Sequence, residues 1–156
     1  MAASDITLKL ARAADAEAIA RMSRDLIEQG LGWRWTAAHV ARQIRCPDTL
    51  VLTARSGDRL LGFAIMHYGF EEAHLLLLAV RPQHRRQGIG RRLVAWLEKS
   101  ARVAGVATVY LEVRAVNRAA RAFYESLGYE AVGRLPGYYS GREAALRMAH
   151  SLRVSS

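Results

Sequence analysis

The sequence predicts an α/β domain: a central, mostly antiparallel sheet with one parallel strand-helix-strand crossover. Three observations carry this. A chain of 156 residues, about half of them hydrophobic, suits one compact domain with a real core, taken as residues 1–156. Short segments of period-two alternation recur along it and end at Gly, Pro, Ser and Asp clusters. One long helical pattern, 89–104, lies between strand patterns at 74–80 and 108–113, the arrangement that sets two strands side by side in parallel.

Residues 6–10 alternate as a first strand. Asp15 stands as N-cap for a helix whose apolar stripe is Ala18, Ile19, Met22, Leu26 and Ile27, stopped by Gly30 and Gly32. Thr36 caps a short second helix through Ile44, ended by Pro47. Residues 49–54 and 59–68 read as strands joined at Ser56-Gly57-Asp58, a hairpin signal. Residues 74–80 are apolar on both faces, a central strand. A polar loop, 81–87, precedes a helix with Ile89, Leu93, Trp96, Leu97, Ala101 and Ala104 at helical spacing and Gly105 as its stop. A strand at 108–113, a short helix at 117–127 closed by Gly128, and strands at 129–132 and 143–148 around the loop 136–142 complete the chain.

The formal net charge is +9, and lysine occurs only at Lys9 and Lys99, so the excess is arginine. Guanidinium forks match phosphate oxygens, which points to an anionic ligand, although a compositional preference for Arg over Lys accounts for it equally. Cys46 is the only cysteine, so no disulfide framework forms and a reducing compartment is expected. The first residues lack a signal-peptide hydrophobic region, and the longest apolar run, 75–80, is too short to cross a bilayer. A soluble cytoplasmic protein is the expectation. The five histidines show no metal-ligand spacing, so no metal is expected.

The segment "RRQGIGRR", residues 85–92, sets two glycines among basic side chains at the mouth of a helix. Unpaired backbone N–H groups and the macrodipole make such a mouth an anion site, and glycines let a pyrophosphate approach closely. A Walker loop would need Gly-Lys-Ser/Thr, which is absent. A dinucleotide fingerprint would need a third glycine where Leu93 stands, although Glu112 falls roughly where a ribose-binding acid would sit. The coenzyme A loop of acyltransferases (Arg or Gln, two residues, Gly, one residue, Gly or Ala) is met by Arg85, Gly88 and Gly90.

With that loop, the segments "LLLAVRPQHRRQGIGRRL", "LEVRAVNRAARAFYESLGY" and "GYYSGREAALRMA" resemble the GNAT acetyltransferase superfamily, and within it the bacterial ribosomal-protein alanine N-acetyltransferases (Rim-type). The likeness is strong over about residues 72–149 and general before that. It implies the GNAT fold, acetyl-CoA as co-substrate without a metal, and a protein or peptide N-terminus as acceptor. It further implies that main-chain groups of Leu78, Ala79 and Val80 pair with the pantetheine arm. Arg85, Arg86, Gln87, Gly88, Ile89, Gly90 and Arg91 would form the pyrophosphate loop, Asn117 would meet the coenzyme arm, Glu112 would be the general base, and Tyr124 would protonate the leaving thiolate.

Read without the resemblance, Glu112 alternates with Tyr110 and Arg114 on one strand face and is more simply solvated or paired with Arg114. Tyr124 reads equally as a packing aromatic, and Asn117 as a helix N-cap. As an acid Tyr124 needs no shift, since reference phenol and thiol pKa values differ by only about 1.5. No Ser or Cys nucleophile comes with a recognisable partner, which fits direct attack by the amine. An α-amine, with pKa near 7.8, is far more often neutral near pH 7.5 than a lysine near 10.4, so one carboxylate favours N-terminal acetylation. A small-molecule amine or a lysine side chain is the alternative acceptor. An arginine-rich nucleic-acid module is a remote one, without a helix-turn-helix or RNP pattern. Leu77, Ala144 and a shortened loop after Tyr139 depart from the Rim-type pattern near the acceptor side. Trp33, Trp35, Tyr138 and Tyr139 are candidates to line that groove, with ordinary packing the competing reading. Glu71 and Glu72 are candidates to attract a basic substrate.

Overall fold

A computed structural model of the chain describes residues 5–153. The elements are β1 (Thr7–Leu10), α1 (Ala16–Leu26), α2 (Ala37–Arg45), β2 (Thr49–Ser56), β3 (Arg59–Tyr68), β4 (Glu72–Val80), α3 (Ile89–Val103), β5 (Thr108–Arg114), α4 (Arg118–Ser126), β6 (Glu130–Tyr139) and β7 (Glu143–Ser151). They build one seven-stranded sheet in the order β1-β2-β3-β4-β5-β7-β6. Every neighbouring pair is antiparallel except β4 and β5, which α3 joins as the parallel crossover that the sequence predicts.

The sheet separates two apolar cores. On one face α3 and α4 pack Ile89, Leu93, Leu97 and Tyr124 against Ala73, Leu75, Leu111, Val113 and Met148. On the other, α1 and α2 pack Ile19, Met22 and Val40 against Val51, Phe63, Ile65, Leu77 and Ala79. Leu75 and Leu77 have the same parity along β4 yet enter opposite cores. The cause is a β-bulge: Ile65 pairs with Leu77 while Met66 pairs with Leu75, so Leu76 is an extra residue. Beyond the bulge β4 and β5 part. Their ladder runs only from Glu72–Thr108 to Leu75–Leu111, although β5 continues to Arg114 on its other side against β7. Among the described residues, the edge of 76–80 that faces β5 therefore has no strand partner, and a cleft opens between the two strands.

Gly62 on β3 lies against the far edge of that exposed segment. A Cβ there would sit 2.7 Å from the Ala79 carbonyl oxygen and 3.3 Å from the Val80 Cα, backbone atoms that cannot swing aside. Gly62→Val is therefore expected to lower stability by about 1–3 kcal/mol, a fall of several degrees in Tm by calorimetry. An unchanged Tm would mean that β3 and β4 are not pressed together here.

Four local details differ from those expected. Asp15 is the N-cap residue of α1, as expected, but its side chain makes no cap hydrogen bond. A 3-10 turn over Ala13–Asp15 precedes the helix, and the Asp15 carboxylate instead accepts from the Arg12 N–H at 2.7 Å and pairs with Arg55. The buried stripe of α1 is Ala16, Ile19, Ala20, Met22 and Ser23, with Ala18 exposed. On α3 Trp96 is 38% exposed, whereas Glu98 is buried because its carboxylate accepts from Tyr129 Oη and His150 Nδ1, both at 2.8 Å. Lastly, β6 runs on to Tyr139, so the segment expected as a loop from 136 is strand until a tight turn at 140–142. Register shifts in its pairing with β7 admit Pro136 and Gly137 into the strand.

Candidate active site

At the end of β4 the chain is pinned by Arg81, whose N–H donates to the Leu61 carbonyl at 2.8 Å and whose Nε donates to the Leu60 carbonyl at 2.6 Å. After a 3-10 turn at Pro82–His84 the backbone enters the left-handed region at Arg86 (φ 66°) and again at Gly88 (φ 76°), the N-cap of α3. Successive N–H groups in such a path form an anion-binding concavity. Among the described residues, none of the backbone N–H groups of Arg86, Gln87, Gly88, Ile89, Gly90 and Arg91 has a backbone or side-chain acceptor; the first amide to find one is that of Arg92, at the Gly88 carbonyl. A Cβ at Gly88 would meet no atom within 4 Å beyond its chain neighbours, so there is open space beside that residue. Gly90 has a different reason to be glycine: a Cβ there would lie 3.1 Å from Cζ of Phe123, which seats α3 against α4. Arg85 and Arg91 are tethered at the rim, to the Val80 carbonyl and to Ser126 Oγ.

The exposed main-chain edge of Leu78, Ala79 and Val80 runs from this loop along the cleft. Glu112 lies on β5 on the sheet face opposite α3, with a side chain only 6% exposed. Its Oε1 accepts from His74 Nε2 at 2.6 Å and from Tyr138 Oη at 3.2 Å, and its Oε2 accepts from Arg147 Nε at 2.9 Å. Burial alone would push the carboxyl up; the hydrogen bonds and charges of His74 and Arg147 outweigh it and hold the pKa below the ordinary carboxylate range. Neither sequence expectation for Glu112 holds, since it is neither solvated nor paired with Arg114. Arg114 instead pairs with Glu143 at 3.3 Å and donates to the Gln29 carbonyl.

The sign of the resulting pH dependence follows from that depression. A carboxyl whose folded pKa lies below its unfolded value, about 4.3 for Glu, contributes stability that is fully present above that value. The contribution is lost as pH falls through the folded value. The contribution of Glu112 to the difference in urea-unfolding free energy between wild type and Glu112→Gln is therefore expected to be lost below about pH 4. A gap that widened below that pH would show the opposite shift.

Tyr124 projects from α4 into the core on the other face, 8% exposed and edge-on to Phe123 and Tyr129. Its hydroxyl makes no hydrogen bond among the described residues. Burial, with a smaller effect of neighbouring Tyr139, pushes the phenol well above its ordinary value, so it does not have the unshifted acidity on which the sequence argument relied. Tyr139 is raised chiefly by burial and then by Tyr138 and Glu112. Asn117 caps α4, its side chain accepting from the Ala120 N–H at 3.1 Å.

His74, Arg147 and Glu28 went unread in the sequence. His74 is one pleat from Glu112 only because β4 pairs in parallel with β5 in the register His74–Tyr110, and Arg147 lies opposite Glu112 on β7. Neither register can be counted from spacing. Glu28 organises the loop between α1 and α2: its Oε1 accepts from the N–H groups of Arg34 (2.7 Å) and Trp35 (3.2 Å), and its Oε2 accepts from Ser23 Oγ. Trp33 donates to the Ala20 carbonyl and Trp35 stacks on His39 at 4.0 Å, so both tryptophans hold this loop by packing. Glu72 shares the face of His74 at the start of β4, whereas Glu71 sits in the preceding turn, its carbonyl accepting from the Ala107 N–H. Among the described residues no group of three or more His, Cys, Asp or Glu could hold a metal ion, and no helix is long and apolar enough to cross a membrane.

The acetyltransferase (GNAT) family profile matches residues 19–129. The [ribosomal protein bS18]-alanine N-acetyltransferase of Escherichia coli K12 is 45% identical over 94 residues, which are 58% of this chain and 64% of that relative. The N-alpha-acetyltransferase RimI of Mycobacterium tuberculosis is 42% identical over 118 residues, covering 70% of this chain and 72% of the relative. The crystal structure of the ribosomal-protein-S18-alanine N-acetyltransferase from Escherichia coli superposes with a TM-score of 0.83 at 31% identity, over 97% of this chain and 96% of that one. With the family profile spanning residues 19–129 and a relative 42% identical over 70% of this chain, the chain belongs to the acetyltransferase (GNAT) family.

Proposed function

We propose that the chain transfers the acetyl group of acetyl-CoA directly to a primary amine, in particular the N-terminal α-amine of a protein, with the single domain of residues 1–156 carrying both the donor and the acceptor site. The observation that carries this is the continuity of three features: the concavity of unpaired N–H groups, the strand edge with no partner beyond Leu76, and the buried Glu112 carboxylate across the cleft.

In this reading Arg86, Gln87, Gly88, Ile89, Gly90 and Arg91 bind the diphosphate through their amides, with Arg85 adding charge at the rim. The edge of Leu78, Ala79 and Val80 hydrogen-bonds the pantetheine arm as a strand would. Asn117 orders the start of α4 and meets the same arm. Glu112 anchors the path by which the amine loses its proton. Tyr124, whose phenol stays protonated, donates to the sulfur as charge develops there. The acceptor enters between the Glu28-organised loop and the turn of β6 and β7, where Tyr138 and Tyr139 line the way. Two relatives named for N-terminal acetylation support the α-amine over a lysine or small amine. The free thiol Cys46 fits the cytoplasmic setting expected from the sequence.

The test is a thiol-release assay with acetyl-CoA across four acceptors: a peptide beginning with Ala, the same peptide N-terminally blocked, a blocked peptide with an internal lysine, and spermidine. Turnover confined to the free N-terminus supports the reading. Turnover of the blocked lysine peptide or the polyamine at a comparable kcat/KM contradicts it.

A further inference from the structure

Resting on that function, we propose that the proton leaving the attacking amine is taken by the imidazole of His74, with Glu112 as the residue that orients and compensates it. His74 and Glu112 form a carboxylate-imidazole pair across the parallel β4–β5 seam, and three observations assign the roles.

First, Glu112 is heavily engaged. Both oxygens accept hydrogen bonds, from His74 and Tyr138 on one and Arg147 on the other, and its side chain is 6% exposed. An amine or a relaying water would find only the one remaining acceptor position, beside Arg147 on a nearly inaccessible carboxylate, and a carboxylate held in its ionised form by a guanidinium and hydrogen bonds is a poor proton acceptor. Second, the 2.6 Å contact fixes the tautomer. An ionised carboxylate has no proton to give, so Nε2 carries the hydrogen and the lone pair of the neutral ring lies on Nδ1. Nδ1 has no partner among the described residues. Third, His74 is reachable where Glu112 is not: its side chain is 35% exposed, on the strand whose next turn of backbone, from the Leu76 bulge to Val80, carries the free edge of the cleft.

The groups facing His74 are few. They are Tyr110 and Glu112 from β5, His67 from β3, Glu72 along its own strand, and Arg147 and Tyr138 beyond Glu112. His67 is engaged with Thr49 Oγ1 at 3.1 Å. Glu112 alone among them contacts the imidazole within hydrogen-bond distance, so it is the group that stabilises the imidazolium once formed.

The amine lone pair forms the N–C bond to the thioester carbonyl carbon. The N–H proton passes to His74 Nδ1, giving an imidazolium on Glu112. The C–S bond breaks with its electron pair on sulfur, where the Tyr124 hydroxyl, which stays protonated, donates a hydrogen bond. The imidazolium then loses its proton, to solvent or to the departing thiolate.

The test compares wild type, His74→Gln and His74→Ala with an Ala-initiated peptide and saturating acetyl-CoA. The expected results are a fall in kcat of about a hundredfold in both variants and acetyl-CoA Kd within twofold of wild type. An acid limb of wild-type kcat that arises from His74 should be absent from His74→Gln, and added imidazole should restore part of the kcat of His74→Ala. Any limb shared by wild type and His74→Gln belongs to the acceptor amine, which is the same in both. A kcat within twofold of wild type in His74→Gln, or a large loss that imidazole does not relieve in His74→Ala, overturns the assignment while leaving the acetyltransferase reading intact. A wild-type protein that neither binds nor turns over acetyl-CoA overturns both.

Discussion

Glu112→Gln is expected to lower kcat at least a hundredfold while acetyl-CoA binds as before. The size follows from three roles that the one carboxylate holds. It fixes the His74 ring, and an amide cannot do this in the same sense: a Gln NH2 turned to Nε2 would leave the proton on Nδ1, where the lone pair is needed. It also supplies the negative charge that offsets the imidazolium, a contribution worth several powers of ten in other carboxylate-imidazole pairs. And it is the shared acceptor of Tyr138 and Arg147, so its loss loosens β6 and β7 at the acceptor side. The donor site should not notice, because the amides of 86–91 lie beyond the far end of the β4 edge, across the cleft from β5. Steady-state kinetics together with calorimetry read the two halves separately. A variant that keeps a tenth or more of wild-type kcat, or that loses acetyl-CoA affinity in step with kcat, contradicts the division of labour.

Gly88→Val is expected to act in the mirror sense, weakening acetyl-CoA at least tenfold. Gly88 sits at φ 76°, where a side chain costs about 1–2 kcal/mol. Beyond its chain neighbours no atom lies within 4 Å of the Cβ position, so the first added carbon meets no distant part of the fold, although a branched residue is strained at this φ. The cost instead falls on the concavity. The valine either fills the space in front of the N–H groups or relaxes φ to negative values and turns those groups apart; both remove anion binding. Tm should fall by only a few degrees. Calorimetric titration with acetyl-CoA measures the loss, and an unchanged Kd would detach the loop from the donor site.

The parts of this molecule that were legible in its sequence are those governed by local chemistry. The glycine loop at the head of α3, the Thr36 and Asn117 caps, the hairpin at Ser56-Gly57-Asp58 and the parallel crossover all follow from residue types at short spacing. What was illegible depends on register between distant strands. The Leu76 bulge sends two residues of equal parity into opposite cores, and no alternation count reveals it. Glu112 looked like a candidate for solvation or for Arg114, because its real partners come from β4, β6 and β7, each placed by a pairing that spacing does not encode. Glu98 was missed for the same reason, since its acceptors' needs are met only once Tyr129 and His150 are folded over α3. The acidity of Tyr124 was misjudged because burial in the α3–α4 core cannot be read from a residue beside Phe123.

The account depends on main-chain amides at the head of α3 holding a diphosphate so that a thioester is laid along the free edge of β4 toward Glu112. Calorimetric titration of the wild-type protein with acetyl-CoA and, in parallel, with acetyl-pantetheine, which has the same thioester and arm but no diphosphate, tests this directly. The predicted result is saturable one-to-one binding of acetyl-CoA and an affinity for acetyl-pantetheine at least tenfold weaker, roughly 1.4 kcal/mol or more. Equal affinities, or no saturable heat with acetyl-CoA, would contradict it.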